Sequence, residues 1–386
     1  MELKDLDAPY SYKNWKEFNN GKHSLGMEEY PLFSDAHLTD TFDEDCGPYQ
    51  FIHVVGRLAE CGVARPKFIL RFSRHIEVDI TVEDMAKKRD DIHHGGRPVD
   101  EIAALACLAM GVRLKAGWPT REFSLEEEGD PLGRPMSLGL MNDPVIPMGN
   151  SGLVLPKSCG PYMHRNIRET LKRFATFPRI SKSDATALVR AARLYQDALW
   201  IVESEPSLAW LMFVSAMEAA ASHWRNSSGD PCNIVKELDP ELYKIANEAS
   251  DTDSARNVIC RAAERLKSTK KFLDFSMEFK PPPPPERPEH HWAQHPWSNK
   301  KFRKTVQKIY GYRSRALHDG RPFPAPMCRP PMIYSKSDLP EVPLGLGASS
   351  NHSTWSIKDT PILLHTYEYI VRGSLLKWWD SMVSSA

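Results

Sequence analysis

Along the first part of the chain, apolar residues come in short runs or alternate with polar ones. Phe51-Ile-His-Val-Val is rich in strand formers, and the second half of Phe68-Ile-Leu-Arg-Phe-Ser-Arg-His-Ile-Glu-Val-Asp-Ile alternates apolar with polar residues. One or two strands are expected there. Residues 1–50 sustain neither a strand nor a helix period and read as an irregular, partly ordered lead-in. Pro98 suits the first turn of a helix, and Val99 to Lys115 reads as a buried, Ala- and Leu-rich helix. From Gly117 to Gly160 the many Gly and Pro residues predict surface loops or short strands.

Beyond about residue 161 the period becomes helical. Helices are expected over Ile167–Phe174, Ser183–Val202, 234–248 and 254–275. The run that Pro206 begins, Pro-Ser-Leu-Ala-Trp-Leu-Met-Phe-Val-Ser-Ala-Met-Glu-Ala-Ala-Ala, is apolar nearly all round, which predicts a central core helix. Pro281 to Pro285 stops helical structure. Ser298 to Tyr310 is amphipathic, with Phe302, Val306, Ile309 and Tyr310 on one face and Lys301, Lys304 and Lys308 on another, and a last helix is expected from Pro361 to Val383. The fold expected is mainly α. A helical domain over 161–386, with a Pro-rich insertion near 281–297, follows a smaller mixed α/β region over 1–160.

Composition adds little to this picture. Hydrophobic residues make up 41% and charged residues 26% of the 386, which is ordinary for a folded globular protein. No stretch approaches the roughly 18 apolar residues of a membrane span, and the start, Met1-Glu-Leu-Lys-Asp-Leu-Asp, has no signal-peptide character. A cytoplasmic protein without membrane partners is expected. Seven scattered cysteines with no Cys-x-x-Cys pair fit reduced thiols. Fifty basic residues balance fifty acidic ones, so any nucleic-acid signal has to be local.

Such a signal lies between Ser298 and His318, where Lys300, Lys301, Arg303, Lys304, Lys308, Arg313 and Arg315 occur without one acidic residue. Basic clusters of this kind attract phosphate backbones without reading sequence, and they also occur as plain solvated helix faces. The cluster ends in Tyr312-Arg-Ser-Arg-Ala-Leu-His-Asp-Gly. In that setting Arg313 and His318 resemble the Arg-x4-His motif of HEPN domains, particularly the Apea-like branch. Ile309-Tyr310 before the motif, Ser314 after the arginine, Ala316-Leu317 before the histidine, Gly320 after it and Glu218 within the apolar upstream helix complete the resemblance, which covers roughly residues 165–386 and, more weakly, Asp90 to Gly133.

The resemblance implies a HEPN-like helical bundle that acts as a metal-independent endoribonuclease without a cofactor. His318 would serve as general base or acid and Arg313 would hold the phosphate, giving 2′,3′-cyclic phosphate and 5′-hydroxyl ends. HEPN domains pair, so a homodimer with a composite site is implied, along with prokaryotic antiphage defence or a toxin-like role. Such an enzyme would be kept inactive until a signal reaches it, with the N-terminal region as the regulatory or sensing part through which an activator or regulatory partner acts. A non-catalytic RNA- or nucleotide-binding or scaffold protein is the other reading, since HEPN domains occur in both forms. Lys300, Lys301, Arg303, Lys304 and Lys308 are the RNA-binding candidates. Glu218 needs a partner, which is Arg313 or another cation; Arg315 either grips a phosphate or extends into solvent; Tyr312 is read as packing.

Three weaker signals remain. His290, His291 and His295 lack the companions of a zinc site and read as a solvated loop. His93-His94-Gly95-Gly96-Arg97 precedes a helix start that suits an anion, but a plain turn explains it. The proline run is either a linker or a ligand for a Pro-binding domain.

Overall fold

The computed structural model describes residues 8–39, 46–53, 60–76, 96–123, 132–136, 142–150, 152–156, 165–224, 230–248, 252–333, 339–345, 347–350 and 353–384. Of these residues 55% are helical, in ten α-helices and short 3-10 turns, with a smaller mixed α/β part at the N-terminus. The helices are α1 (Tyr10–Asn19), α2 (Pro98–Met110), α3 (Ile167–Leu171), α4 (Lys182–Ile201), α5 (Pro206–Trp224), α6 (Pro231–Leu238), α7 (Pro240–Glu248), α8 (Thr252–Glu278), α9 (Asn299–His318) and α10 (Leu364–Ser384). The border expected at 160/161 lies outside the described residues. One hydrophobic cluster runs through both parts, from Ala8 to Met382.

The main sheet is antiparallel. Strands β1 (Gly26–Ser34), β3 (Tyr49–His53), β4 (Arg65–Arg74), β6 (Arg121–Phe123) and β7 (Arg134–Pro135) lie in the order β3-β4-β1-β6-β7, and β5 (Lys115–Ala116) also pairs with β1. A short β2 (Leu38–Thr39) pairs with β8 (Arg165–Asn166), and β9 (Gly347–Ser350) with β10 (Ser353–Ser356). The period-2 pleat sends Phe68, Leu70 and Phe72 of β4 into the core beside Phe51 and Leu32. The strand expected to run to residue 80 ends at Arg74, and residues 77–80 lie outside the description.

Where an irregular, partly ordered lead-in was expected, the described residues form α1 and β1, because partners distant in sequence supply what the local sequence lacks. Pro9, the N-cap of α1, offers no side-chain cap. The cap comes from Glu101 of α2, whose buried carboxylate accepts from Ser11 N (2.8 Å), Ser11 Oγ (2.6 Å) and Tyr10 N (3.3 Å). Exposed helix N–H groups and the helix dipole favour an anion at that end. Burial raises the pKa of Glu101, and the hydrogen bonds from Ser11 and Tyr10 oppose it. Strand β1, with Pro31 inside it, is held in the sheet by β4 on one side and by β5 and β6 on the other.

Helix α2 stops five residues before its expected end, at Gly111, whose φ of 68° suits glycine and whose N–H returns to Cys107 O at 2.8 Å. Just beyond it, Arg113 lies wholly inside the protein. Its guanidinium bonds Asp35 Oδ2, Glu203 Oε1 and the Leu199 carbonyl, each at 2.9 Å. Glu203 in turn accepts from Val154 N and Leu155 N, and Asp35 from Gly62 N. This network joins the turn after β1 to the end of α4.

In the helical part, α5 touches α4, α8, α9 and α10. Trp210 stacks between Tyr367 (4.7 Å) and Phe323 (5.3 Å). The helix is central as expected, but not covered all round, since Leu208 is 46% exposed and Leu211, Met212 and Ala219 are half-buried. Pro240 splits the helix expected over 234–248 into α6 and α7, which pack with the first half of α8 as a separate small cluster. The Pro-rich insertion is anchored by Arg287, bidentate to the buried Glu341 (2.8 and 2.7 Å), which also accepts from His295 N at 2.5 Å. His295 is therefore buried, contrary to the solvated loop expected for it.

Two outcomes follow. Removing one anion of a buried ion cluster leaves an uncompensated charge, so Glu203→Ala is expected to cost about 3–5 kcal/mol in denaturant unfolding. Burial pushes the His295 and His365 imidazoles down to about 4. Their neutral forms belong to the folded state while the unfolded state takes up protons below about 6.5, so this stability is complete above that pH and is lost as pH falls towards 4. The double variant His295→Gln, His365→Gln is expected to show a flatter melting temperature between pH 6.5 and 4.5 than the wild type, read by circular dichroism.

Candidate functional site

Helix α9 carries every residue of the basic cluster and both residues of the motif. It was expected to end at Tyr310; instead it passes through Gly311 and ends at His318, after which Gly320, at φ 64°, turns the chain away. A mid-helix glycine costs roughly 1 kcal/mol against alanine, and the buried Tyr310 and Tyr312 on either side anchor the helix across it. Gly311 faces open space, with nothing within 4 Å of where a Cβ would stand.

At about 100° per residue, Arg313 and His318 leave the helix about 140° apart. Arg313 falls on the same side as the buried Phe302, Val306, Ile309 and Tyr310, whereas His318 shares the outward side with Lys300, Lys304 and Arg315, all exposed. The guanidinium of Arg313 pairs closely with Glu218 Oε2 from α5, the two side chains being 19% and 18% exposed. Tyr310 Oη donates to the other oxygen, Glu218 Oε1, at 2.8 Å, and the Arg313 guanidinium lies 5.6 Å from the Tyr310 ring centre. Burial, and then the hydrogen bond to Glu218, raise the Tyr310 pKa, so its hydroxyl keeps its proton and acts as a donor. Arg313 Nε is buried without a hydrogen-bond partner. Of the two openings left for Glu218, the structure shows Arg313.

The other candidates separate into two groups. Lys300, Lys301 and Lys304 are exposed. Arg303 is neutralised by Glu237 and lies 3.9 Å from Asp274, and Lys308 meets Asp359 at 3.4 Å and the Lys358 carbonyl. Tyr312 is buried, its hydroxyl donating to the Asp359 carbonyl, and Arg315 lies 4.5 Å from the Tyr312 ring centre. Ser314 is half-buried. Sequence reasoning missed Tyr310 as a partner of Glu218, and missed Asp359. Tyr310 stands three residues before Arg313, the spacing of helical neighbours, and was legible as such; Asp359 is 46 residues from Arg313 and nothing local announces it.

Elsewhere, Asp100 Oδ2 accepts from Arg97 N at 2.9 Å and so fills the start of α2; His93, His94 and Gly95 lie outside the described residues. His290 stacks on Trp292 at 5.2 Å, and among the described residues no group of three His, Cys, Asp or Glu could hold a metal ion. No helix among them is long and apolar enough to cross a membrane.

Set against the models of known protein families, the curated proteins and the solved structures, the chain matches none. The class of the site therefore rests on the chemistry of α9 and its neighbours.

Glu218→Ala would strand Arg313 against the apolar side of α9. A loss of about 1–2 kcal/mol is expected in thermal or denaturant unfolding, with a smaller loss when Arg313→Ala is made in the same chain.

Proposed function

We propose that this chain is a metal-independent endoribonuclease of the HEPN type. The observation that carries the reading is the placement of His318. It is an exposed imidazole at the end of a helix whose outward side also bears Lys300, Lys304 and Arg315. The lysines and Arg315 would draw the phosphate backbone to the helix. The imidazole of His318 would take the proton of the ribose 2′-hydroxyl, or give one to the departing 5′-oxygen. The 2′-oxygen then bonds to phosphorus as the bond to the 5′-oxygen breaks, leaving a 2′,3′-cyclic phosphate. Arg313, whose charge is permanent, would stabilise the phosphate in the transition state.

A single histidine cannot face both oxygens of an in-line displacement, since they lie on opposite sides of phosphorus. Two copies of α9 across a homodimer would supply both. The incompletely covered outer face of α5, with Leu208, Leu211, Met212 and Ala219, supports such pairing next to the Glu218–Arg313 pair. The N-terminal region would be the restraining or sensing part, in antiphage defence or a toxin-like role.

The pairing of Arg313 with Glu218 favours a second reading, a non-catalytic RNA-binding protein, because a guanidinium held in this way is committed to the fold. Cleavage of end-labelled single-stranded RNA in excess chelator separates the two. The nuclease reading expects cyclic-phosphate ends from the wild type, and a loss of about 100-fold or more in His318→Ala and Arg313→Ala. RNA binding without cleavage, weakened in Lys300→Glu, Lys304→Glu and steeply dependent on salt, would establish the binding reading instead.

A further inference from the structure

The proline run stands apart from α9 and its chemistry. From Pro281 to Arg287 burial follows a three-residue period, and Pro288, next in line after Pro282 and Pro285, is buried and ends it. Pro281 is buried and Pro284 and Arg287 are half-buried, whereas Pro282 with Pro285, and Pro283 with Glu286, are exposed. A polyproline helix has three residues per turn, so one edge faces the protein and two face solvent.

The inward edge is secured at both ends. Pro281 lies against α10 where Gly373 makes room for it: a Cβ at Gly373 would come within 2.7 Å of Pro281 Cβ. Lys377 Nζ donates to the Lys280 carbonyl (2.8 Å) and Tyr369 Oη to the Pro282 carbonyl (3.2 Å). At the far end Arg287 is held by Glu341 and donates to the His295 carbonyl at 2.7 Å. A mere spacer between α8 and α9 has no need of being fastened at both ends with the rings between them turned to solvent.

We propose that Pro282–Glu286 is a docking ridge for a protein partner whose groove is lined by parallel aromatic rings, the chemistry that recognises polyproline. The rings of Pro282 and Pro285 stand on one edge, about 9 Å apart, the spacing of two adjacent aromatic slots. Anchoring at both ends removes most of the ordering entropy that a free proline-rich segment loses on binding. Exposed Glu286 at the end of the ridge and Glu289 just beyond it favour a groove with a basic rim and oppose a nucleic acid. Trp292, 56% exposed and stacked on His290, extends the surface beyond the ridge. This inference is independent of the ribonuclease reading.

The test titrates the full-length protein with purified SH3, WW and profilin domains, by calorimetry or by the fluorescence of the groove tryptophans. At least one domain is expected to bind with one-to-one stoichiometry. The double variant Pro282→Ala, Pro285→Ala, whose side chains are exposed and whose melting temperature should not change, is expected to bind at least about tenfold more weakly. Glu286→Lys, Glu289→Lys is expected to weaken binding to a domain with a basic rim. Failure of all three domains to bind, or binding that the proline variant leaves unaltered, would overturn the proposal.

Discussion

The buried guanidinium of Arg113 is the constraint on which the rest of the architecture depends. Three of its donors reach Asp35, Glu203 and the Leu199 carbonyl, so one side chain fixes the exit of β1 relative to the last turn of α4. Burying such charges is expensive unless every hydrogen-bonding position is met, and Gly62, Val154 and Leu155 meet the remaining ones on the two carboxylates, save Asp35 Oδ1. Apolar packing alone would let the sheet slide over the helices. The charge cluster admits one alignment, and the continuous core then closes around it.

Helix α9 depends on that alignment indirectly, because α5 sits between α4 and α9 and presents Glu218 to Arg313. The helix has two unlike sides. One is a packing side into which a charged residue has been admitted by pairing it with Glu218 and Tyr310; the other is a solvent side that bears the exposed cations Lys300, Lys304 and Arg315. Formal charge counted along the sequence overstates the field here, since Arg303 and Lys308 already have anionic neighbours in the folded protein.

The helical part was legible in the sequence because its signals are local. Period, proline and glycine placed α4, α5, α8 and α10 to within a few residues, and the mainly α class followed from them. The N-terminal part was less legible because its determinants are remote. Helix α1 has its cap 90 residues away, and β1 carries a proline that only flanking strands make tolerable. At the site, sequence brought Arg313, His318 and Glu218 into view as residue types. It could not show that Arg313 and His318 diverge around the helix, because a helix was expected only up to Tyr310. The burial of His295 was likewise hidden, as its anchor Glu341 is 46 residues further on.

The capping of α1 by Glu101 bears on how the chain is made. As a ribosome releases the chain from its N-terminus, the first helix emerges with its amide groups uncapped, and β1 emerges before β4, β5 and β6. Helix α1 cannot be capped until α2 has followed, about 90 residues later, and β1 is not flanked on both sides until β5 and β6 have joined β4 beside it. The opening segment must then wait in an unfinished state, and long-range closures of this kind slow folding. Helix α1 and strand β1 are thus among the last described parts of the N-terminal region to be completed.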